Sequence, residues 1–361
     1  MTVDPVELTV ALMRIDSTSG RETEVVRFAQ QTLEAMGWTV RRIPVSDGRD
    51  DIVATWAPAP LVTLSTHLDT VPPYIAPRVE GGRVWGRGAC DAKGIAAAMI
   101  CAAERLRARE VPVALLFVVG EETTHDGAHV ANRWPTTSRA LIDGEPTEST
   151  LAVGTKGALR LLFRAKGVAA HSAYPHLGRS AIHVLLDVVQ EVRAVEFPSD
   201  SLLGDTTVNV GVVAGGVADN VVAADANARV MIRLVSDADE VLARVREVAG
   251  ERVEVHEVAR VPPVRLATIE GLPTSVVAYA TDVPALSAWG TPYLFGPGSI
   301  HVAHRDDERV EIDELRAAVH AYERLAVAAL ERVTDHGTPV ARQPPYAPGD
   351  DPAQADDSRR R

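Results

Sequence analysis

The chain has 361 residues, 46% of them hydrophobic, with a net charge of -12 and a pI near 5.4. That length and composition allow one large or two ordinary domains and exclude whole-chain disorder. The acidity argues against nucleic acid, whose phosphates select basic surfaces, and no apolar run approaches the roughly 20 residues that span a bilayer.

The N-terminal residues carry Asp4 and Glu7 inside a helical pattern, unlike a signal peptide. Cys90 and Cys101 therefore read as reduced thiols, and a cytoplasmic protein is expected. Ser19 to Glu22 has the spacing of a capping box and opens a helix that runs to Gly37. Strands follow at 51–56 and 61–66, the second apolar on both faces as a buried central strand should be. A helix starts near Asp91, and the strand VALLFVV covers 113–119. A helix near 125–134 and the strand RALI at 139–142 complete the alternation. Alternating strands and helices with buried strands predict an α/β domain with a mostly parallel sheet.

Near Lys156 the texture changes. The strand 159–167 precedes a helix with Ile182, Leu185, Leu186, Val189 and Val192 on one face. Strands at 206–216 and 224–234, a helix at 238–250 and a strand at 252–258 follow. This β-α-β-β-α-β order is ferredoxin-like and predicts a small domain inserted into the first. The expected boundaries are 1–155 with 263–334 for the large domain and 156–262 for the inserted one. A strand at about 292–295 and a helix at 312–333 return the chain to the large domain. Residues 335–361 hold five prolines and almost no large apolar side chains, which predicts a disordered tail.

Metal-type ligands sit just past the strands. STHLDTVP (65–72) puts His67 and Asp69 on one side of an extended chain, where the carboxylate can fix the tautomer of a ligand histidine. A satisfied polar pair would look the same. Asp91, in GRGACDAKG (86–94), opens a helix, and taken alone it reads better as an N-cap. VVGEETTHDG (118–127) sets Glu121 beside Glu122. The pair is stable if one binds a cation and the other stands off as a base, or if both lie on a solvated turn. LIDGEPTE (141–148) places Glu145 two residues past a strand, and GPGSIHVAHRDDE (296–308) offers His301 and His304 in a loop. His125 and His129 are four apart, but Gly127 lies between them and no glutamate follows His125, which argues against a zinc-protease helix.

Taken together, HLDTVP, GACDAKG, EET, GEPT and AHRDDE stand in an order that resembles the M20 metallopeptidase and amidohydrolase family. That family includes deacetylases, desuccinylases, aminoacylases and carboxypeptidases. The resemblance runs from residue 5 to 333. It implies a Zn-peptidase-like catalytic domain with an inserted ferredoxin-like lid, and a site for two divalent ions, zinc first, with cobalt or manganese possible. Asp91 would bridge the ions, His67 and Glu145 would complete one, and Glu122 and His304 the other. Glu121 would be the general base and Asp69 the partner of His67. In GVAAHSAYPHLG (167–178), His171 would polarise the substrate, or else it caps the next helix. Asn220 and Arg233 match positions that can bind a substrate carboxylate, although Arg233 could equally serve a strand-face ion pair. The implied reaction is deacylation of an N-acyl amino acid, as by acetylornithine deacetylase, with desuccinylation or dipeptide and carboxypeptidase cleavage as alternatives. A homodimer through an exposed lid edge is expected. Residues 263–300 are shorter than the family pattern and read as lacking one of its helices, so the specificity pocket is expected to differ.

Overall fold

The computed structural model describes residues 3–335. The final helix runs through Asp335, and the rest of the expected disordered tail lies outside the described residues. In chain order the main elements are α1 (Pro5–Met13), α2 (Thr23–Ala35), β1 (Thr39–Ser46), β2 (Arg49–Thr55) and β3 (Val62–His67). Next come α3 (Lys93–Ala108), β4 (Val113–Val118), α4 (Asp126–Ala131), β5 (Ala140–Asp143) and β6 (Gly157–Lys166). Then follow α5 (Ala181–Arg193), β7 (Thr207–Gly215), β8 (Asp225–Leu234), α6 (Ala238–Ala249), β9 (Glu254–Val261), β10 (Thr291–Leu294) and α7 (Ile312–Asp335).

The chain divides into two compact units. Among the described residues the first holds 3–153, Arg265–Ser275 and 281–335. Its sheet has the order β1-β2-β4-β3-β5-β10. The pairings β4–β3, β3–β5 and β5–β10 are parallel, and the β1–β2 and β2–β4 pairings are antiparallel. β3 and β4 are buried at every position, and β4 reads as an uninterrupted apolar run while β3 mixes Val62 and Leu64 with small hydroxyl side chains. α3 is alanine-rich and buried from Lys93 through Ala103, and it packs against α1 and α7. β1 escapes a sequence reading because Arg41, Arg42 and Pro44 interrupt its apolar alternation; on an edge strand that cost is small.

Two local expectations fail. Ser19 does not cap α2: its Oγ donates to Asp69 at 2.7 Å. Glu22 accepts from the Gly20 N–H and pairs with Arg49 instead. The helix starts at Thr23 with no side-chain cap, so long-range partners win over the local box. In α5, Leu185, Val189 and Val192 are buried as expected, but Leu186 is 47% exposed and Val188 takes its inward place.

The second unit covers Gly154–Val264 and Val276–Ala280. Four of its strands form an antiparallel sheet of order β7-β8-β6-β9, with α5 and α6 packed on it. The chain order within it is strand, helix, two strands, helix, strand. Its core is separate and runs from Leu159, Leu161 and Phe163 to Val241 and Val245.

Asp51, at the start of the buried stretch of β2, is a polar cost inside the first unit. Its Oδ1 accepts from the Val119 N–H at 3.0 Å, and Oδ2 has no partner. Burial, with Asp282 and Asp126 nearby, pushes its pKa up to about 8. An unfolded aspartate titrates near 3.9. The folded state therefore keeps a proton that the unfolded chain releases, and stability falls as pH rises through that window. Asp51→Asn should leave the melting temperature unchanged near pH 4 and raise it by at least about 3 °C at pH 9, measured by thermal denaturation.

Candidate active site

The topology explains why distant motifs meet. β4, β3, β5 and β10 are neighbours and run parallel, so their C-terminal ends share one edge of the sheet. His67 ends β3, Glu121 and Glu122 follow β4, and Glu145 follows β5. Such an edge is where an open α/β sheet builds its sites.

His67 is 1% exposed. Its Nε2 lies 3.1 Å from Asp91 Oδ1, and Asp91 Oδ2 lies 3.1 Å from His304 Nε2. One carboxylate thus spans two imidazoles. His304 Nε2 also meets Glu122 Oε1 at 3.0 Å. Donor atoms of His67, Asp91 and Glu122 fall within 4.8 Å of one another, as do those of His67, Glu121 and Glu145. Asp91 is not an N-cap. α3 starts at Lys93, its cap position is Ala92, and Asp91 turns both oxygens toward the histidines.

Asp69 departs from expectation in a useful way. The closest partner of His67 Nδ1 is the Asp69 backbone carbonyl at 3.0 Å, with the carboxylate at 3.5 Å. The carboxylate accepts from the Glu121 and Glu122 N–H groups at 3.1 and 3.2 Å and from Ser19 Oγ. Asp69 therefore holds both the histidine and the turn that carries the paired glutamates. Two glycines allow this packing. Gly120 has φ +75°, and a Cβ there would lie 2.1 Å from Asp126 Oδ1. A Cβ on Gly144 would meet Ile95 at 2.4 Å, so only glycine lets α3 approach the turn before Glu145.

Two groups near the cluster were not singled out from the sequence, although Glu308 ends the AHRDDE motif. Glu308 is fully buried and pairs with Arg87 Nη1 at 2.5 Å. It also accepts from the N–H groups of Gly88, Cys90 and Asp91 at 2.9, 3.4 and 3.4 Å, fixing the loop that presents Asp91. Asp282 Oδ1 lies at hydrogen-bond distance, 2.8 Å, from His125 Nδ1, and that nitrogen lies 3.8 Å from Glu121 Oε1. His125 thus joins a third close group with Glu121 and Asp282, although its spacing to His129 argues against a ligand pair.

The electrostatics suit cations. Burial disfavours ionisation of Asp91, but hydrogen bonds from His304 and His67 outweigh it and hold the carboxyl well below its usual range. His304 is raised to about 10 by Asp91 and Glu122. Burial works against His67 as a cation, yet Asp69 and Asp91 raise it well above its ordinary value. Burial and neighbouring acids raise Glu145 well above the usual range. Glu121, 11% exposed, is raised by burial and by Asp282 and Glu122, against the pull of His125 and His67. Histidines raised in pKa beside crowded acidic groups mark a pocket that favours positive charge. Divalent ions would supply it, and the mixed imidazole and carboxylate donor set fits them.

The remaining predicted residues lie in the second unit. His171 and Asn220 are exposed and sit on adjoining loops, joined by a His171–Val221 bridge and the Ser172 N–H to Asn220 carbonyl bond at 2.9 Å. His171 Nδ1 accepts from the Ala173 N–H at 3.1 Å. Arg233 is half-buried on β8, and burial with Arg160 nearby lowers its pKa. Among the described residues no helix is long and apolar enough to cross a membrane.

Comparison with known proteins agrees with this architecture. Among solved structures, a tripeptidase of Staphylococcus aureus superposes with a TM-score of 0.75 at 20% identity, covering 91% of this chain and 98% of that one. A metallo-carboxypeptidase of Sulfolobus solfataricus gives 0.71 at 17% identity, covering 90% and 99%. In sequence, a probable carboxypeptidase of Aspergillus terreus is 40% identical, covering 88% of this chain and 85% of its own length. A peptidase M20 domain-containing protein of Schizosaccharomyces pombe is 38% identical, covering 89% and 84%. Residues 63–328 match the family described as Peptidase family M20/M25/M40. Strand order, clustered donors and sequence likeness across most of its length thus agree that this chain belongs to peptidase family M20/M25/M40, a family of hydrolases.

Proposed function

We propose that the protein hydrolyses the amide bond of a small amino-acid-derived substrate at a site for two divalent metal ions. His67, Asp91 and Glu145 would hold one ion and Asp91, Glu122 and His304 the other, with zinc first and cobalt or manganese as alternatives. When bound, such a pair lowers the pKa of a water toward 7 and polarises a carbonyl. The observation that carries the reading is Glu121: a nearly buried carboxylate beside that donor set, raised in pKa, and not needed to bridge the two histidines.

Glu121 takes a proton from the attacking water and returns it to the departing amine nitrogen. Asp69 keeps Glu121 and Glu122 in register through their backbone N–H groups. His171 as an oxyanion donor, and Asn220 and Arg233 as carboxylate binders, belong to the proposal on their motif alone. Peptide substrates are supported by relatives named probable carboxypeptidases. N-acyl amino acids, acetylated or succinylated, present the same amide next to a carboxylate and form the second reading. A panel of dipeptides, tripeptides, acetyl-amino acids and succinyl-amino acids, assayed with zinc, cobalt and manganese, decides between them. Absence of turnover on every member with metal bound would refute the function.

Cytoplasmic location and a homodimer complete the proposal. The first is supported by two buried free cysteines and the second by edge strand β7, where Val212 and Val213 are 47% and 48% exposed. A native mass of two chains is the measure of the dimer.

A further inference from the structure

We infer that His125, fixed by Asp282, is a positioning residue for Glu121. The inference rests on the reading of Glu121 as the proton-transferring base. Three observations support it. First, His125 is non-glycine at φ +54°, a left-handed conformation that costs a histidine side chain and is held by its N–H bond to the Gly120 carbonyl at 2.8 Å. That turn swings the imidazole back toward the residue four positions earlier. Second, Asp282 stands at the N-cap of a short 3-10 helix (Val283–Trp289) yet makes no side-chain cap bond; its Oδ1 is spent on His125 Nδ1 at 2.8 Å. Third, Asp282 is 3% exposed, so His125 is anchored on a buried carboxylate, with the imidazole nitrogen 3.8 Å from Glu121 Oε1.

At 3.8 Å the ring is in contact with the carboxylate but not hydrogen-bonded to it. It blocks rotamers that would swing Glu121 away. A base that receives a proton from water and delivers it to nitrogen must stay oriented through both transfers. Misplacement of about 1 Å is enough to cost roughly 10²-fold in rate.

Two substitutions at His125 separate the ring from the backbone. His125→Gly removes the imidazole while glycine accepts the left-handed turn without strain. His125→Asn keeps a donor near the place of Nδ1 and tolerates the same turn. With the substrate that the panel identifies, His125→Gly is expected to lower kcat by about 30–100-fold, with KM within about twofold and metal content unchanged. His125→Asn should recover at least about tenfold of that loss. A crystal structure of His125→Gly should show Glu121 in a second conformer. The inference is overturned if His125→Gly keeps kcat within about twofold, if it loses metal, or if His125→Asn is no better than glycine. Glu121→Gln, run in parallel, separates the failures: if it stays active, the base assignment itself is wrong.

Discussion

Glu121→Gln is expected to leave both metal ions in place and to lower turnover by about 10²–10⁴-fold, the range typical of a lost general acid–base. The geometry sets this expectation. Asp91 alone spans His67 and His304, and Glu122 reaches His304 at 3.0 Å, so the donor set survives without a charge on Glu121. Glutamine has nearly the same shape, and the backbone N–H groups at 121 and 122 stay bonded to Asp69. Elemental analysis together with kcat on the chosen substrate checks the result. Metal loss equal to the loss of turnover would show instead that Glu121 is a ligand, a possibility that its place within 4.8 Å of His67 and Glu145 makes concrete.

Asp91→Ala should have the opposite signature, with metal and turnover lost together. Both oxygens of Asp91 are engaged, one on each histidine at 3.1 Å. Removing them takes a donor from both ion positions and the strongest negative partner from both imidazoles. Metal content after dialysis should fall from about two ions per chain to below one, and turnover to background. The fold should persist, because Glu308 holds the loop through the N–H groups of Gly88, Cys90 and Asp91, which alanine retains. A variant that keeps two ions per chain would remove Asp91 from the bridging position.

The two variants also show where sequence reading stops. The motifs named His67, Asp91, Glu122, Glu145 and His304 as candidates, and the structure gathers them. The chain alone could not say how each is supported. Ser19 and Glu22 have capping-box spacing, yet both leave the helix for Asp69 and Arg49. Asp69 was expected to serve His67 through its carboxylate, which is largely taken by the turn after β4. Asp282 lies in a segment that departs from the family pattern, and no local signal links it to a histidine 157 positions away.

What the sequence determined by itself is everything set by local pattern. Short apolar-rich stretches marked the buried strands, a switch to alternation marked the second unit, and strand exits marked the chemistry. Only the tertiary structure decided which polar groups pair. That choice depends on strand order, on the glycine-lined approach of α3 to the end of β5, and on burial that leaves each carboxylate just a few partners. The physical reason is that a buried polar atom must satisfy itself with whatever the fold brings near, and contacts so distant along the chain leave no periodic trace.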